Sequence, residues 1–204
     1  MIVILDYGVG NIVSIRNMLK KVGVESLVSS DPKEVKKAEK LILPGVGHFD
    51  YCMSQIRRAP YFEELSYQVL ENKKPILGVC AGCQMLFDRS EEGKEAGLGW
   101  ISGEVIEFDR NLMPANLKVP HMGWTDVYPK ANTPLFAGIE KPRFYFVHSF
   151  YVRCGNPDTI TSESEYGFRF TASVQKGNIY GVQFHPEKSH QFGMKLYKNF
   201  AELG

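Results

Sequence analysis

Cysteine is scarce in this chain: Cys52, Cys80, Cys83 and Cys154 are all there is in 204 residues. Four thiols are too few to staple a chain of this length, so a disulfide framework is excluded and a reduced, cytoplasmic setting is the default. Net charge is nearly absent as well, at +1. That removes the general electrostatic case for a nucleic-acid partner or an anionic membrane surface. No stretch approaches the roughly 20 apolar residues of a membrane span. Met1 runs directly into Ile2–Leu5 without a charged-then-apolar leader, and that run reads as a first strand. Repeats, low-complexity tracts and linkers are missing too, so residues 1–204 are read as one domain with a substantial core.

What is present is an alternation. Ile2 to Leu5, Val24 to Ser29, Leu41 to Leu43 and the run at Ile76-Leu77 read as strands. Between them, Ile12, Ile15, Met18, Leu19 and Val22 recur at helical spacing and Gly23 stops the helix. Asp31-Pro32 reads as a helix start, and Phe49–Arg58 and Tyr61–Leu70 as helices on either side of Pro60. Apolar strands alternating with helices imply parallel pairing, because each crossover needs a helix to return the chain. The second half carries aromatic and β-branched runs at 103–108, 119–127, 144–152, 159–164, 171–175 and 179–184, with a hairpin turn at Lys176-Gly-Asn178. These read as antiparallel additions to the same sheet. Ser189 then caps a last helix with Phe192, Leu196, Phe200 and Leu203 on one face. The expectation is an α/β fold: an open, mixed, mostly parallel sheet flanked by helices.

In open sheets of this kind, binding sites form at the C-terminal strand ends. Asp6-Tyr-Gly-Val-Gly-Asn11, Pro44-Gly-Val-Gly47 and Gly78-Val-Cys80 all fall at such ends. Gly8 and Gly10 do not complete a G-x-G-x-x-G, because Val13 takes the third position, so a dinucleotide site is discounted. No cofactor and no metal is expected. Gly78-Val-Cys-Ala-Gly82 is G-x-C-x-G between a strand and the apolar Met85-Leu86-Phe87 of an expected helix. A sharp strand-to-helix turn between glycines exposes its central residue, here Cys80, as a nucleophile. Unpaired N–H groups at the helix start, beginning with that of Ala81, favour negative charge there and could receive a developing oxyanion. Two other readings stand beside this one. Cys80 is equally a small core residue, and Cys80 with Cys83 spells the C-x-x-C of a thiol–disulfide oxidoreductase.

Gly181-Val-Gln-Phe-His-Pro-Glu187 bears on the choice. Pro186 holds His185 extended. In an extended segment residues i and i+2 share a side, so Glu187 could orient the imidazole of His185. With Cys80 nearby, these would be nucleophile, base and orienting carboxylate. A thioredoxin-like redox pair needs no distant His-Pro-Glu.

These two segments resemble the signatures of class-I (Cys-His-Glu) glutamine amidotransferases. Pro120-His-Met-Gly-Trp124, Tyr145-Phe-Val-His-Ser149 and His185-Pro-Glu-Lys-Ser189, with the loops at 6–11 and 44–47, narrow the likeness to glutaminase subunits of imidazole glycerol phosphate synthase, over essentially the whole chain. The resemblance implies that Cys80 attacks the glutamine side-chain amide to form a thioester. It implies that His185 moves the proton, Glu187 holds His185, and Gln84 contacts glutamine. It places oxyanion and amino-acid contacts at Gly45, Val46, Gly47, Ala81, Ser149 and Phe150. It also implies a (β/α)8-barrel cyclase partner in a heterodimer, with ammonia passing to a ribosylated aminoimidazole-carboxamide. Three positions depart from the family pattern: Ala81 for Leu, Cys83 for Met, and Thr125 for Asn. The last leaves a second acceptor open, an amidine-forming synthase acting on a surface-polysaccharide sugar. A non-enzymatic supporting subunit is a third possibility, which the intact Cys-His-Glu set argues against.

Overall fold

The structure, a computed structural model, describes residues 1–204. The first half runs β1 (Ile2–Leu5), α1 (Ile12–Lys21), β2 (Ser26–Ser29), α2 (Pro32–Lys37), β3 (Lys40–Leu43), α3 (Phe49–Arg58), α4 (Phe62–Leu70), β4 (Ile76–Val79) and α5 (Ala81–Gln84). The second half is mainly strands: β5 (Arg89–Ser90), β6 (Gly103–Glu107), β7 (His121–Pro129), β8 (Arg143–His148), β9 (Phe150–Cys154), β10 (Ile160–Tyr166), β11 (Phe168–Lys176) and β12 (Ile179–Val182). Helix α6 (His190–Glu202) closes the chain.

Local chemistry explains most of these boundaries. Every residue of β1, β4 and β12 is buried, as strands covered on both faces must be. Asp31 caps α2 by accepting from Lys33 N at 2.8 Å, with Pro32 at the first helical position. In α3 the buried residues are Phe49, Cys52, Met53 and Ile56, one stripe at helical spacing. Gly23, at φ +76°, turns the chain away after α1.

The large sheet has the order β2-β1-β3-β4-β12-β11-β10-β7-β8. From β2 to β12 every pair is parallel; from β12 to β8 every pair is antiparallel. Alternate strand residues feed two cores. Val3, Leu5, Leu41 and Leu43 pack with Val35, Met53, Ile56 and Leu65 from α2, α3 and α4. Ile2, Ile4, Ile42 and Leu77 pack on the other face with Ile15 and Leu19 of α1 and Leu196 and Phe200 of α6. No helix is long and apolar enough to cross a membrane.

Four expectations are corrected. The helix after Cys80 spans only Ala81–Gln84, and Met85, Leu86 and Phe87 lie buried in the turns beyond it. A bond from Leu98 N to Met85 O, and others from Trp100 and Ile101 to Leu86 O, draw these residues into loop contacts instead of a second helical turn. The run at 144–152 is two strands, β8 and β9, which break at Ser149 and enter different sheets. Thus β6 and β9 do not extend the main sheet; they pair with β5 in a separate three-stranded one. Ser189 makes no capping bond to α6, because its hydroxyl donates to His185 O at 2.6 Å and accepts from Tyr145 N at 3.0 Å.

The join between β4 and α5 is closely packed. A Cβ at Gly78 would lie 2.6 Å from Gly82 O and 2.9 Å from Cys83 N, both backbone atoms that cannot swing aside. Gly78→Ala is therefore expected to destabilise the fold by about 1–3 kcal/mol, the usual range for overpacking, seen as a drop of several degrees in melting temperature. An unchanged melting curve would show that the turn has slack.

Candidate active site

Cys80 follows the last residue of β4 with φ +54° and ψ −113°, a conformation L-residues rarely adopt. Such strain amounts to about 1–3 kcal/mol and persists only where neighbours impose it. Here Cys80 N donates to Val182 O at 2.8 Å, and Cys80 O accepts from Cys83 N at 3.0 Å and Gln84 N at 3.2 Å. The sharp elbow read from G-x-C-x-G is present. Its helix is a single turn, so electrostatic help from a long helix dipole is reduced accordingly. Cys80 is 6% exposed. Its sulfur lies 3.9 Å from Val147 O and 4.0 Å from Gln183 Nε2.

Strand β12 is the parallel neighbour of β4, with Gly78 opposite Gly181 and Val79 opposite Val182. Both strands therefore deliver the residues that follow them to the same sheet edge. His185 N donates to Tyr145 O at 2.9 Å, which seats the His185 backbone against β8. Its Nδ1 bonds Glu187 Oε1 at 2.7 Å. The spatial pairing is as expected, but its local cause differs: residues 186–188 form a 3-10 turn, and the turn brings Glu187 back under the ring. Because a carboxylate only accepts, Nδ1 carries the proton of this bond. The other ring nitrogen, Nε2, is buried with no hydrogen-bond partner. Burial alone would depress the imidazolium, but negative charge on neighbouring Cys80, together with Glu187, more than offsets it and raises the His185 pKa to about 10. Glu187, buried itself, is held below the ordinary carboxylate range because the bond and charge of His185 and the amide of Asn11 outweigh desolvation.

Asn11 is the first residue that the sequence left without a role. Its Nδ2 donates to Glu187 Oε1 at 2.8 Å, across 176 positions of chain. Nearby, the Tyr7 hydroxyl donates to Pro44 O, tying the loop after β1 to the loop after β3. Gln183 is the second such residue: it accepts from Gln84 Nε2 at 3.2 Å and lies beside the thiol. Neither pairing has a signature in spacing, since each joins segments far apart in the chain.

The other expected site residues gather around the elbow. Gly45 packs its Cα against Gly82 N and the Ala81 carbonyl, where a side chain would clash with backbone. Gly47 has φ +89°, and between the two glycines Val46 O accepts from Cys52 Sγ at 3.4 Å. Ala81 heads the single turn of α5. Gln84 Nε2 donates to Phe150 O at 3.0 Å. Ser149 O accepts from Phe108 N at 3.2 Å, at the break between β8 and β9. Cys83 instead points into the core, where a Cβ on Gly181 would meet its sulfur at 2.5 Å. All four cysteines are free thiols, and burial pushes Cys83 well above its ordinary pKa. A buried, unionised thiol is a poor exchange partner, which removes the geometric support for a redox pair. No group of three or more His, Cys, Asp or Glu side chains could hold a metal ion.

Removing the sulfur should unmask the burial effect on His185. In Cys80→Ala its pKa is expected to fall clearly below about 10, read by NMR titration of the ring. The sign follows from linkage. A raised folded-state pKa contributes stability that is complete below the unfolded value of about 6.5 and fades as pH rises through the folded value. The variant should therefore lose the stabilising charge pair at neutral pH. An unchanged His185 titration would mean that Cys80 does not govern the ring.

Comparison with known proteins agrees with this geometry. The glutamine amidotransferase class-I family model matches residues 3–203. The imidazole glycerol phosphate synthase subunit HisH 2 of Pseudomonas aeruginosa is 52% identical over 204 residues, covering 100% of both chains. The subunit HisH of Bdellovibrio bacteriovorus is 46% identical, again over 100% of both. Among solved structures, one described as a glutamine amidotransferase superposes with a TM-score of 0.75 at 19% identity, covering 98% of this chain and 97% of that one. The structure of PurLQS from Thermotoga maritima gives 0.72 at 19% identity, with 98% and 96% covered. With an elbow cysteine, a facing histidine and its carboxylate in one buried cluster and a family match along its whole length, this chain belongs to the class-I glutamine amidotransferases.

Proposed function

We propose that residues 1–204 act as one glutaminase domain, the ammonia-producing subunit of an imidazole glycerol phosphate synthase. The observation that carries the reading is the buried pair His185–Glu187, whose ring offers Nε2, without any other partner, beside Cys80. Similarity along the full chain to the subunits from P. aeruginosa and B. bacteriovorus supports the choice of synthase.

The chemistry follows from these groups. Cys80 sulfur attacks the side-chain carbonyl carbon of L-glutamine, and negative charge moves to the oxygen. The N–H groups of the elbow at Ala81 and of the loop at Gly45, Val46 and Gly47 receive that charge. His185 Nε2 gives its proton to the departing nitrogen, ammonia leaves, and a glutamyl thioester remains. The neutral ring then takes a proton from water, whose oxygen displaces the sulfur to yield glutamate. Glu187 keeps Nδ1 protonated and the ring oriented through both half-reactions. Gln84, Ser149 and Phe150 border the glutamine pocket.

Ammonia passes to a partner, a (β/α)8-barrel cyclase in a cytoplasmic heterodimer, for histidine biosynthesis. Neither nucleic acid nor membrane takes part. The oxyanion loop at 44–47 completes its arrangement when the partner binds, which prevents idle glutamine hydrolysis. Thr125, which replaces the Asn of the family pattern, favours keeping a sugar-amidine synthase as the second acceptor.

Cys80→Ser is expected to lower glutamine turnover by on the order of 1,000-fold or more, as loss of a nucleophile does, with Cys83→Ser retaining most of it. Turnover lost in the Cys83 variant alone would reverse the assignment. The chain by itself should release ammonia slowly and speed up when the synthase is added; equal rates would refute control by the partner. Identifying the barrel subunit that copurifies, and the compound the complex aminates, decides between the two acceptors.

A further inference from the structure

Two buried histidines lie outside the catalytic cluster. His121 on β7 is 1% exposed and His148 at the end of β8 is 6% exposed. They are cross-strand partners, and His121 Nδ1 lies 3.0 Å from His148 Nε2. Aromatic rings close them in. His121 stacks on Tyr166 at 4.0 Å and on Phe146 at 4.9 Å, and Phe108 lies 5.1 Å from His148. The cage excludes water, and burial holds both rings neutral, lowering His121 to about 4 and His148 to about 3.

The direction of every bond in this group is determined by one carbonyl. His148 Nδ1 lies 2.8 Å from Phe150 O, which can only accept, so Nδ1 carries the proton. The neutral ring then has a bare Nε2, and His121 must donate to it from Nδ1. That leaves His121 Nε2 bare, 2.7 Å from Thr125 Oγ1, so the Thr125 hydroxyl donates. At the far end, Phe150 O also faces Gln84 at 3.0 Å, and the atom there must be the amide nitrogen. Its second hydrogen goes to Gln183 Oε1 at 3.2 Å. Both donors of Gln84 are therefore taken, and its amide oxygen is the group left to accept an N–H from glutamine.

We propose that Thr125, His121 and His148 form a one-way hydrogen-bond relay that positions the Phe150 carbonyl and, through it, the acceptor oxygen of Gln84 in the glutamine pocket. This rests on the reading of Gln84 and Phe150 as the border of that pocket. The three are positioning residues, since none touches the reacting atoms. The relay begins at Thr125, which is half-buried on β7. Its second ring, His148, follows Val147, whose carbonyl lies beside the Cys80 sulfur. Without the Thr125 hydroxyl, His121 Nε2 is a buried acceptor with no partner, and the ring loses the bond that holds it against His148. The Phe150 carbonyl still keeps both rings in the Nδ1–H form, but the row of bonds that holds that carbonyl in place is loosened at its start.

The test uses the full chain in complex with the synthase that copurifies with it, and 6-diazo-5-oxo-L-norleucine, a glutamine-like electrophile that labels a reactive thiol. In the wild type, 15N spectra should show both histidines as neutral Nδ1–H forms. Thr125→Val should leave both rings Nδ1–H, shift the 15N resonance of the bare His121 Nε2 as its hydrogen bond is lost, and raise the half-saturating reagent concentration about 3- to 10-fold, the loss of one neutral hydrogen bond. The limiting labelling rate should stay within about twofold of wild type, and Thr125→Ser should restore both the His121 Nε2 resonance and affinity. An unchanged His121 Nε2 resonance, or unchanged half-saturation, in Thr125→Val overturns the relay. So does a loss of melting temperature and limiting rate that Thr125→Ser fails to rescue, because that marks a merely structural role. A wild-type complex that resists labelling altogether counts against glutamine chemistry itself, and the relay's purpose falls with it.

Discussion

Parallel pairing of β4 with β12 is the constraint on which the site depends. These strands are separated by about half the chain, yet Gly78 sits opposite Gly181 and Val79 opposite Val182. Because parallel strands point the same way, the residues that follow them emerge at one edge, Cys80 from one and His185 from the other. A shift of one residue would turn the buried faces of β12 inside out, so core packing enforces the register. Cys83 contributes here from the core. Its sulfur fills the space beside Gly181, which has no side chain to occupy it. The residue that reads as half of a redox pair is thus better understood as part of the packing that sets β12 against the elbow.

Burial then sharpens the electrostatics. His185 and Glu187 are both nearly inaccessible, and their side chains are each 1% exposed. An isolated charge in such a place would be expelled or neutralised. Here each charge has a partner, and Asn11 supplies a neutral donor to the same carboxylate oxygen. Such a cluster is stable only when complete, since removing one member strands the others without solvent. The strained Cys80 backbone belongs to the same economy. Hydrogen bonds to Val182, Cys83 and Gln84 impose a conformation that the residue would not adopt alone.

The antiparallel half of the sheet closes the pocket from the opposite side. Where β8 gives way to β9 at Ser149, the chain leaves one sheet for another, and the carbonyls of Val147 and Phe150 project toward Cys80 and Gln84. Beneath this corner lies the aromatic cage of Phe108, Phe146, Tyr166 and Phe170 around His121 and His148. Aromatic residues in the second half of the sequence therefore do more than fill a core: they hold the far wall of the site in place.

The sequence by itself determined the strand–helix alternation, the elbow at Cys80 and the His-Pro-Glu cluster, because apolar period, glycine spacing and proline are local signals. It placed α3 at 49–58, matching the structure, since a single apolar stripe there leaves no competing pattern. It could not foresee that α5 stops at Gln84, because Met85, Leu86 and Phe87 are bound by a loop distant from any helical signal. Nor could it show that Ser189 serves His185 and Tyr145 rather than α6, or that Asn11 reaches Glu187. Ser189–Tyr145 and Asn11–Glu187 join segments far apart in the chain. Only the tertiary structure decided them, because contacts between distant segments depend on strand order and register, which no local run of residues encodes.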